Sequence, residues 1–123
     1  MLEEAKKLLG QPYVWGGESP AEGGYDCSGL FSYVAGLLGI TFPRVAADQA
    51  RVVTPIELRH LRPGDFIFFK GTYGEDAEAI THVGILTEDV QMLDSHEPGG
   101  VQYTDITTSY WVEHFAFIGR LAS

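Results

Sequence analysis

The one cysteine of the chain, Cys27, lies where a nucleophile could work. It follows Asp26, a residue type that often caps a helix, so Cys27 is expected at the first helical position. Helix N-termini carry unpaired N–H groups and about half a positive charge, which stabilise a thiolate and can hold an oxyanion during acyl transfer. A free cysteine is more often a small core residue. The residues around Cys27 therefore leave a nucleophile and a core position both open.

A cysteine nucleophile needs a general base, which is usually a histidine because the imidazole pKa lies near neutrality. Of the four histidines, His60 and His114 have sequence contexts typical of surface and structural residues. His82 begins a predicted strand after a flexible loop, where it could face a cleft. His96 ends the next predicted strand, and it shares one side of that strand with Asp94 because side chains two apart point the same way.

The register between these two strands decides which side chain faces His82. A connection with an odd number of residues, or a bulge, would bring Asp94 opposite His82. A two-residue turn would instead bring Ser95 there and turn Asp94 away. The sequence leaves both registers open.

Helical patterns occupy the first half of the chain and strand patterns the second, an order that indicates an α+β domain. Helices are predicted over 1–10, from Cys27 to Gly39, and over 46–53, and strands over 66–69, 82–86, 90–95, 101–103 and 115–119. Segments 16–24 and 71–79 are predicted loops, the second of them acidic. We also expect an apolar face of the second helix to pack on the sheet. That face comprises Leu30, Val34, Leu37 and Leu38, and its expected partners are Phe66, Phe68, Ile85 and Phe117.

The composition and charge of the chain exclude several classes of function. The 123 residues fit one domain over 1–123. The net charge of -9 argues against nucleic-acid binding and against electrostatic docking on anionic lipid. No segment reaches the roughly 20 apolar residues of a membrane span. One cysteine excludes an internal disulfide, and one cysteine with scattered histidines is not a zinc ligand set, so neither a metal nor another cofactor is expected.

Five motifs follow one another along the chain. They are PYVWGG at 12–17, YDCSG at 25–29, FPR at 42–44, LRPGDFIFF at 61–69 and HVGI at 82–85. In this order they make nearly the whole chain resemble the catalytic domain of the NlpC-type papain-like cysteine peptidases, which cut bacterial peptidoglycan. The resemblance implies a papain-like fold, with the nucleophile at a helix N-terminus packed on a central antiparallel sheet.

The resemblance also implies roles for individual residues. Cys27 would attack the scissile carbonyl, His82 would be its base, and a third polar residue would orient the His82 ring. In the family this third residue is commonly histidine and sometimes asparagine or glutamine. Asp94 stands at that position here, which is a departure, and His96 is the alternative third residue.

Further positions match residues around the substrate. Tyr13 matches a tyrosine whose hydroxyl lies near the nucleophile. Asp26 matches the acid that holds the free amine of a terminal L-Ala, and Ser28 stands at the matching serine. Trp15 is expected to bind substrate, although it and Tyr13 could also be core aromatics and Asp26 could be only a helix cap. Arg44 matches a Pro-Arg pair, for which a structural role is expected.

The activity implied by the resemblance is hydrolysis of peptidoglycan stem peptides, usually at the γ-D-glutamyl to diamino acid bond, through a thioester acyl-enzyme. The alternatives are an N-acetylmuramoyl-L-alanine amidase of a phage lysin and a non-catalytic wall-binding or phage structural domain. The first ten residues lack the pattern of a signal peptide. We therefore expect a domain of a longer secreted protein or a phage lysin made in the cytoplasm, acting on the cell wall. Because its acidic surface offers no electrostatic attraction to an anionic wall, we expect affinity to come from the groove itself or from a wall-binding module outside this chain.

Overall fold

The structure is a computed structural model that describes residues 1–89 and 91–121. Within these residues, six strands form one sheet in the order β3-β8-β4-β5-β6-β7, and two short strands, β1 and β2, pair separately. The helices are α1 (Leu2–Lys6), α2 (Cys27–Leu37), α3 (Ala46–Val52) and α4 (Ser109–His114). The strands are β1 (Glu18–Ser19), β2 (Gly24–Tyr25), β3 (Thr54–Ile56), β4 (Phe66–Lys70), β5 (Ile80–Leu86), β6 (Met92–His96), β7 (Gly100–Thr104) and β8 (Phe115–Arg120).

All neighbouring strands of the six-stranded sheet run antiparallel, so the predicted α+β class is confirmed. Each of the five predicted strands corresponds to an observed strand with shifted ends. The predicted start of one strand at Val90 lies outside the described residues. β3 and α4 were not predicted, because β3 is a three-residue strand containing Pro55 and α4 has only six residues. Within the described residues, no helix is long and apolar enough to cross a membrane.

The central strand β4 is apolar on both faces because both faces are covered. Phe66 and Phe68 contact the helical layer, and the ring of Phe66 meets Phe31 of α2 edge-on at 5.4 Å between centroids. Ile67 and Phe69 point to the other face, where Phe69 packs against Trp111 of α4. The sheet is thus held between α2 on one side and α4 on the other.

Helix α2 begins as predicted and buries a different face from the predicted one. Phe31 and Ala35 are buried together with Leu30 and Val34, whereas Leu37 and Leu38 are 57% and 42% exposed. The prediction is therefore wrong for the two leucines. Because the buried stripe includes Phe31 and Ala35, Leu37 lies on its flank, and Leu38 is the residue that ends the helix. Phe66, Phe68 and Ile85, with the partly buried Phe117, do form the opposing surface.

The first helix is shorter than predicted. α1 ends at Lys6, and the following residues form turns in which the N–H groups of Lys7 and Leu8 donate to carbonyls three residues back. Gly10 then donates its N–H to the carbonyl of Val101, which ties this segment to β7. The segment 16–24 is likewise not all loop, since it contains β1 and part of β2.

Candidate active site

Cys27 is the first residue of α2, and Asp26 caps that helix as predicted. The Asp26 Oδ1 atom accepts a hydrogen bond from the backbone N–H of Gly29 at 2.7 Å. Gly29 lacks a side chain where one would collide with the carbonyl oxygen of Gly17, so the 16–17 loop packs directly on the start of α2. Cys27 is 9% exposed and its thiol lies 3.6 Å from the Thr81 carbonyl oxygen on β5.

His82 lies on β5, with its Nε2 atom 2.8 Å from the Asp94 Oδ2 atom on β6. Strands β5 and β6 pair up to Leu86 and Met92. The connection between these two residues is 87–91, which is an odd number of residues. With this parity Asp94 lies on the same face of the sheet as His82, as an odd connection predicts.

The prediction that Asp94 lies directly opposite His82 is wrong. Ile85 pairs with Leu93, and the same register continued along the ladder places Asp94 opposite Gly84. Ser95 points away, and its hydroxyl donates to the carbonyl of Tyr25 at 2.8 Å.

Asp94 is fully buried and accepts hydrogen bonds from three side chains. Its Oδ2 atom lies 2.8 Å from His82 Nε2 and 2.7 Å from His96 Nδ1. Its Oδ1 atom accepts the hydroxyl proton of Thr104 on β7 at 2.6 Å. The two alternatives for a third residue therefore belong to one network, in which Asp94 contacts His82 and His96 contacts Asp94. Thr104 was missed, because only the register of β6 and β7 reveals it.

Hydrogen bonds and charge interactions favour the charged forms of His82 and Asp94 more than burial disfavours them. Burial alone lowers the pKa of His82, but hydrogen bonds to Asp94 and to Cys27 raise it to about 10. Because Asp94 takes up Nε2, the other ring nitrogen, Nδ1, is left for the Cys27 thiol. Burial likewise acts to raise the pKa of Asp94, yet hydrogen bonds from His82 and His96 hold it below its usual range. The His82–Asp94 pair therefore favours an imidazolium beside a carboxylate.

These shifts predict how the fold responds to pH. The raised pKa means that the His82 proton stabilises the fold fully below its unfolded-state pKa of 6.5, and this contribution is lost as the pH rises through about 10. The lowered pKa of Asp94 contributes stability above its unfolded-state value of 3.8 that is lost as the pH falls further. Imidazole nitrogen shifts measured by NMR should show His82 protonated at pH 8. Titration of His82 near pH 6.5 in the wild-type protein would contradict this arrangement.

An open groove passes over Cys27 and has two sides. Tyr13, Trp15 and Tyr73 line both of them. The side that includes His82 has a volume of about 520 Å³ and is also lined by His96, Glu97, Tyr110 and Trp111. The side that includes Asp26 has a volume of about 460 Å³ and is also lined by Ser28, Arg44, Val45, Ala46 and Ala47. A peptide lying in the groove would thus pass Cys27 with one part on each side.

The two predicted aromatic residues stand at this groove. Trp15 is 70% exposed, which excludes a core position, and its ring meets Tyr73 edge-on at 5.2 Å. The backbone of Tyr13 forms an isolated β-bridge with that of Tyr25, which precedes Asp26 and Cys27 in the chain. Burial and the neighbouring Cys27 and Asp26 raise the pKa of Tyr13 to about 12. Its hydroxyl therefore keeps its proton and can donate a hydrogen bond into the groove.

Arg44 joins the charged residues on the Asp26 side. Its Nη1 atom donates to Asp26 Oδ1 and to the Ser28 hydroxyl, each at 3.1 Å, and its Nη2 atom donates to Asp26 Oδ2 at 3.0 Å. The Nε atom lies 2.8 Å from a carboxylate oxygen of Glu18 on β1. Arg44 thus connects β1 to the start of α2.

The remaining histidines lie apart from the groove lining, in keeping with their predicted surface and structural positions. His60 is exposed, and His114 Nδ1 lies 2.7 Å from the backbone carbonyl of Lys70.

Within the described residues, His82, Asp94 and His96 form a group whose ligand atoms all lie within 4.8 Å of one another. The description of the histidines as scattered is therefore wrong for this pair, although both nitrogens that face Asp94 are engaged by its Oδ2 atom.

A cysteine at a helix N-terminus facing a histidine on an antiparallel sheet defines a papain-like α+β domain. Structural comparison agrees: an NLP/P60-family protein similar to a lipoprotein, from Staphylococcus aureus, has a TM-score of 0.87 and 38% identity, over 99% of this chain and 40% of that one. The family model described as NlpC/P60 matches residues 10–120. The chain belongs to the NlpC/P60 family, which confirms the resemblance and the papain-like fold.

Two curated relatives from Bacillus subtilis add names to this family. The bifunctional muramidase/DL-endopeptidase CwlT is 42% identical over 98% of this chain and 36% of its own length. The gamma-DL-glutamyl hydrolase is 38% identical over 100% of this chain and 30% of its own length. The chain thus spans about a third of the length of these two relatives.

Proposed function

We propose that this chain is a cysteine peptidase domain that hydrolyses peptidoglycan stem peptides between the γ-D-glutamyl residue and the diamino acid. The observation that carries the proposal is the contact of His82 with Asp94 beside Cys27 at the start of α2, in an open groove. The names of both Bacillus subtilis relatives refer to a DL bond and support the choice of bond. CwlT is also named a muramidase, which supports a wall substrate.

The chemistry would be acyl transfer to a thiol. His82 Nδ1 takes the proton of Cys27, and the thiolate attacks the carbonyl carbon of the γ-D-glutamyl group. N–H groups at the start of α2, with the Tyr13 hydroxyl, hold the oxyanion. His82 then returns its proton to the leaving amine of the diamino acid, which leaves a thioester on Cys27. Water, deprotonated by His82, attacks the thioester and releases the γ-D-glutamyl carboxylate and the thiol.

Asp94 is proposed as the residue that orients His82 and stabilises its positive charge. It would do both through one short bond to Nε2, as the acid of a catalytic triad does. His96 and Thr104 would in turn fix the Asp94 carboxylate through the contacts that each makes with it. An aspartate at this position thus gains two supporting donors.

We further propose that residues 1–123 form one catalytic domain acting on the cell wall. With a net charge of -9, the domain has no general electrostatic attraction to an anionic polymer. Affinity would come from the groove or from a wall-binding module outside these residues.

Digestion of purified peptidoglycan tests the bond that is cut. Walls containing L-Lys and walls containing meso-diaminopimelate are incubated separately with the protein, and new termini are identified by mass spectrometry. We expect a new amino terminus on the diamino acid and a new γ-carboxylate on D-Glu. A new terminal L-Ala would identify the amidase alternative, and intact wall in both digests would favour a binding domain.

A further inference from the structure

Trp111 of α4 lies between the groove and the apolar layer on the far side of the sheet. It lines the His82 side of the groove, and it also belongs to the apolar cluster that contains Ile67 and Phe69. Its ring packs against that of Phe69 at 4.8 Å between centroids, and the residue is 9% exposed. The core therefore fixes the position of this indole, although part of it faces the groove.

The indole also contacts both histidines of the Asp94 network. The ring centroids of Trp111 and His82 lie 5.0 Å apart, with an angle of 35° between the ring planes. Those of Trp111 and His96 lie 5.4 Å apart, at an angle of 68°. Two rings inclined by only 35° can come this close when they are stacked with an offset, whereas an edge-to-edge arrangement would hold their centroids farther apart. The indole of Trp111 is thus stacked on the imidazole of His82.

The polar partners of His82 act on the edge of its ring. Asp94 Oδ2 lies 2.8 Å from Nε2, and Nδ1 is left for the thiol of Cys27. Because the nitrogens of an imidazole form hydrogen bonds along the ring plane, these two contacts leave the faces of the ring to aromatic neighbours. Phe69 of β4 is one of them, with its centroid 5.9 Å away, and Trp111 is closer.

The charge of the His82 ring gives this stacking an electrostatic part. A cation over the face of an aromatic ring is attracted by the negative charge of that face, most strongly for tryptophan. Burial alone disfavours the imidazolium, and Asp94 and Cys27 favour it. The other titratable groups described on this side of the groove are Tyr13, Tyr73, His96, Glu97 and Tyr110.

We propose that Trp111 is a positioning residue for His82, whose ring it holds between Cys27 and Asp94 and whose positive charge it stabilises. The imidazolium is the form that protonates the leaving amine in the proposed function, on which this inference rests. Loss of the indole should therefore lower both the pKa of His82 and the rate of hydrolysis. Because His82 can be titrated without substrate, the inference and the proposed function are tested separately.

Two substitutions of Trp111 test the proposal. Trp111→Leu removes the aromatic face and keeps an apolar side chain, whereas Trp111→Phe keeps a smaller aromatic face. The pKa of His82 is read from imidazole nitrogen shifts by NMR over a pH series, and kcat/KM is measured on one stem peptide over the same series. We expect Trp111→Leu to lower the pKa of His82 and to lower kcat/KM about tenfold. Trp111→Phe should lie between Trp111→Leu and wild type in both measurements.

An unchanged pKa of His82 in folded Trp111→Leu would overturn the proposal. Equal losses in the leucine and phenylalanine variants would also overturn it, because Trp111 would then only fill space. If Trp111→Leu does not fold, Trp111→Phe decides, and a wild-type pKa of His82 in that variant would overturn the proposal. Absence of cleavage at the γ-D-glutamyl bond by the wild-type protein would overturn the proposed function and leave the titration as a test of the stacking.

Ile118→Val is the matched control for loss of core packing. Ile118 is buried in the same cluster as Trp111, but it lies on β8, two strands away from His82 in the sheet. This variant should lower the thermal midpoint and leave both the pKa of His82 and kcat/KM unchanged. A lowered pKa of His82 in Ile118→Val would mean that any loss of packing shifts the titration, and would overturn the role given to Trp111.

Discussion

Replacement of Cys27 by alanine is expected to abolish hydrolysis of peptidoglycan, lowering turnover about 10⁴-fold or more. The thiol supplies the atom that bonds to the substrate carbonyl, and the sequence contains no other cysteine that could replace it. The rate is measured by release of stem-peptide fragments from purified wall. Because nucleophile and base act as a unit, His82→Ala in the same assay should lose a similar factor.

The control for Cys27→Ala is a measurement showing that the variant is still folded. Loss of one sulfur atom from a residue at the rim of the core should change the thermal midpoint little, so an unchanged circular dichroism spectrum is expected. Serine at position 27 keeps a hydroxyl of similar size and gives a second, more conservative variant. Wild-type turnover in a folded Cys27→Ala protein would mean that Cys27 is only a small core residue.

Replacement of Asp94 by alanine is expected to lower kcat/KM by a factor of about 10²–10⁴, since the His82 ring loses the acceptor that orients it and stabilises its charge. His96→Ala should cost less, because His96 contacts Asp94 and leaves the bond from Asp94 to His82 in place. Both variants are measured on the same peptide and at the same pH. A larger loss in His96→Ala than in Asp94→Ala would make His96 the third residue.

Because Asp94 is buried, the stability of the Asp94→Ala protein must be measured alongside its activity. Removal of Asp94 leaves His82, His96 and Thr104 without their shared acceptor, and unpaired buried groups cost about 1–3 kcal/mol each. Asp94→Asn keeps the shape and the side-chain oxygen and should fold better. In this variant the pKa of His82 should fall, because burial is no longer opposed by the Asp94 charge. An unshifted imidazole titration would contradict the role given to Asp94.

Local sequence signals predicted one half of the site. Asp26 before Cys27 indicated a capped helix start because capping depends on residues only three positions apart. The apolar run from Phe66 to Phe69 similarly indicated a strand. The cap, the helix start and the buried strand are all present. These features depend on residues close together in the chain, so a single sequence was sufficient to predict them.

Features that depend on distant residues could not be predicted in the same way. The odd connection between Leu86 and Met92 decides that Asp94, and not Ser95, faces His82, and both registers were compatible with the sequence. The place of Thr104 depends on the pairing of a further strand. The exposure of Leu37 depends on where the sheet meets α2.

The two sides of the groove differ in chemistry, and this bears on substrate choice. The Asp26 side carries a balanced ion pair, whereas the His82 side carries His96 and the carboxylate of Glu97. Under the proposed function, the net charge of the domain would act on its approach to the wall, and the groove would act on the choice of bond.

Trapping of the acyl-enzyme tests the central claim most directly. A thioester between Cys27 and the γ-carboxyl of D-Glu should react with added hydroxylamine in competition with water. We predict a γ-D-glutamyl hydroxamate among the products, in the same ratio to free acid for peptides ending in L-Lys and in meso-diaminopimelate, and none with Cys27→Ala. Release of the acid alone, or a hydroxamate that also forms with Cys27→Ala, would contradict a cysteine peptidase acting at this bond.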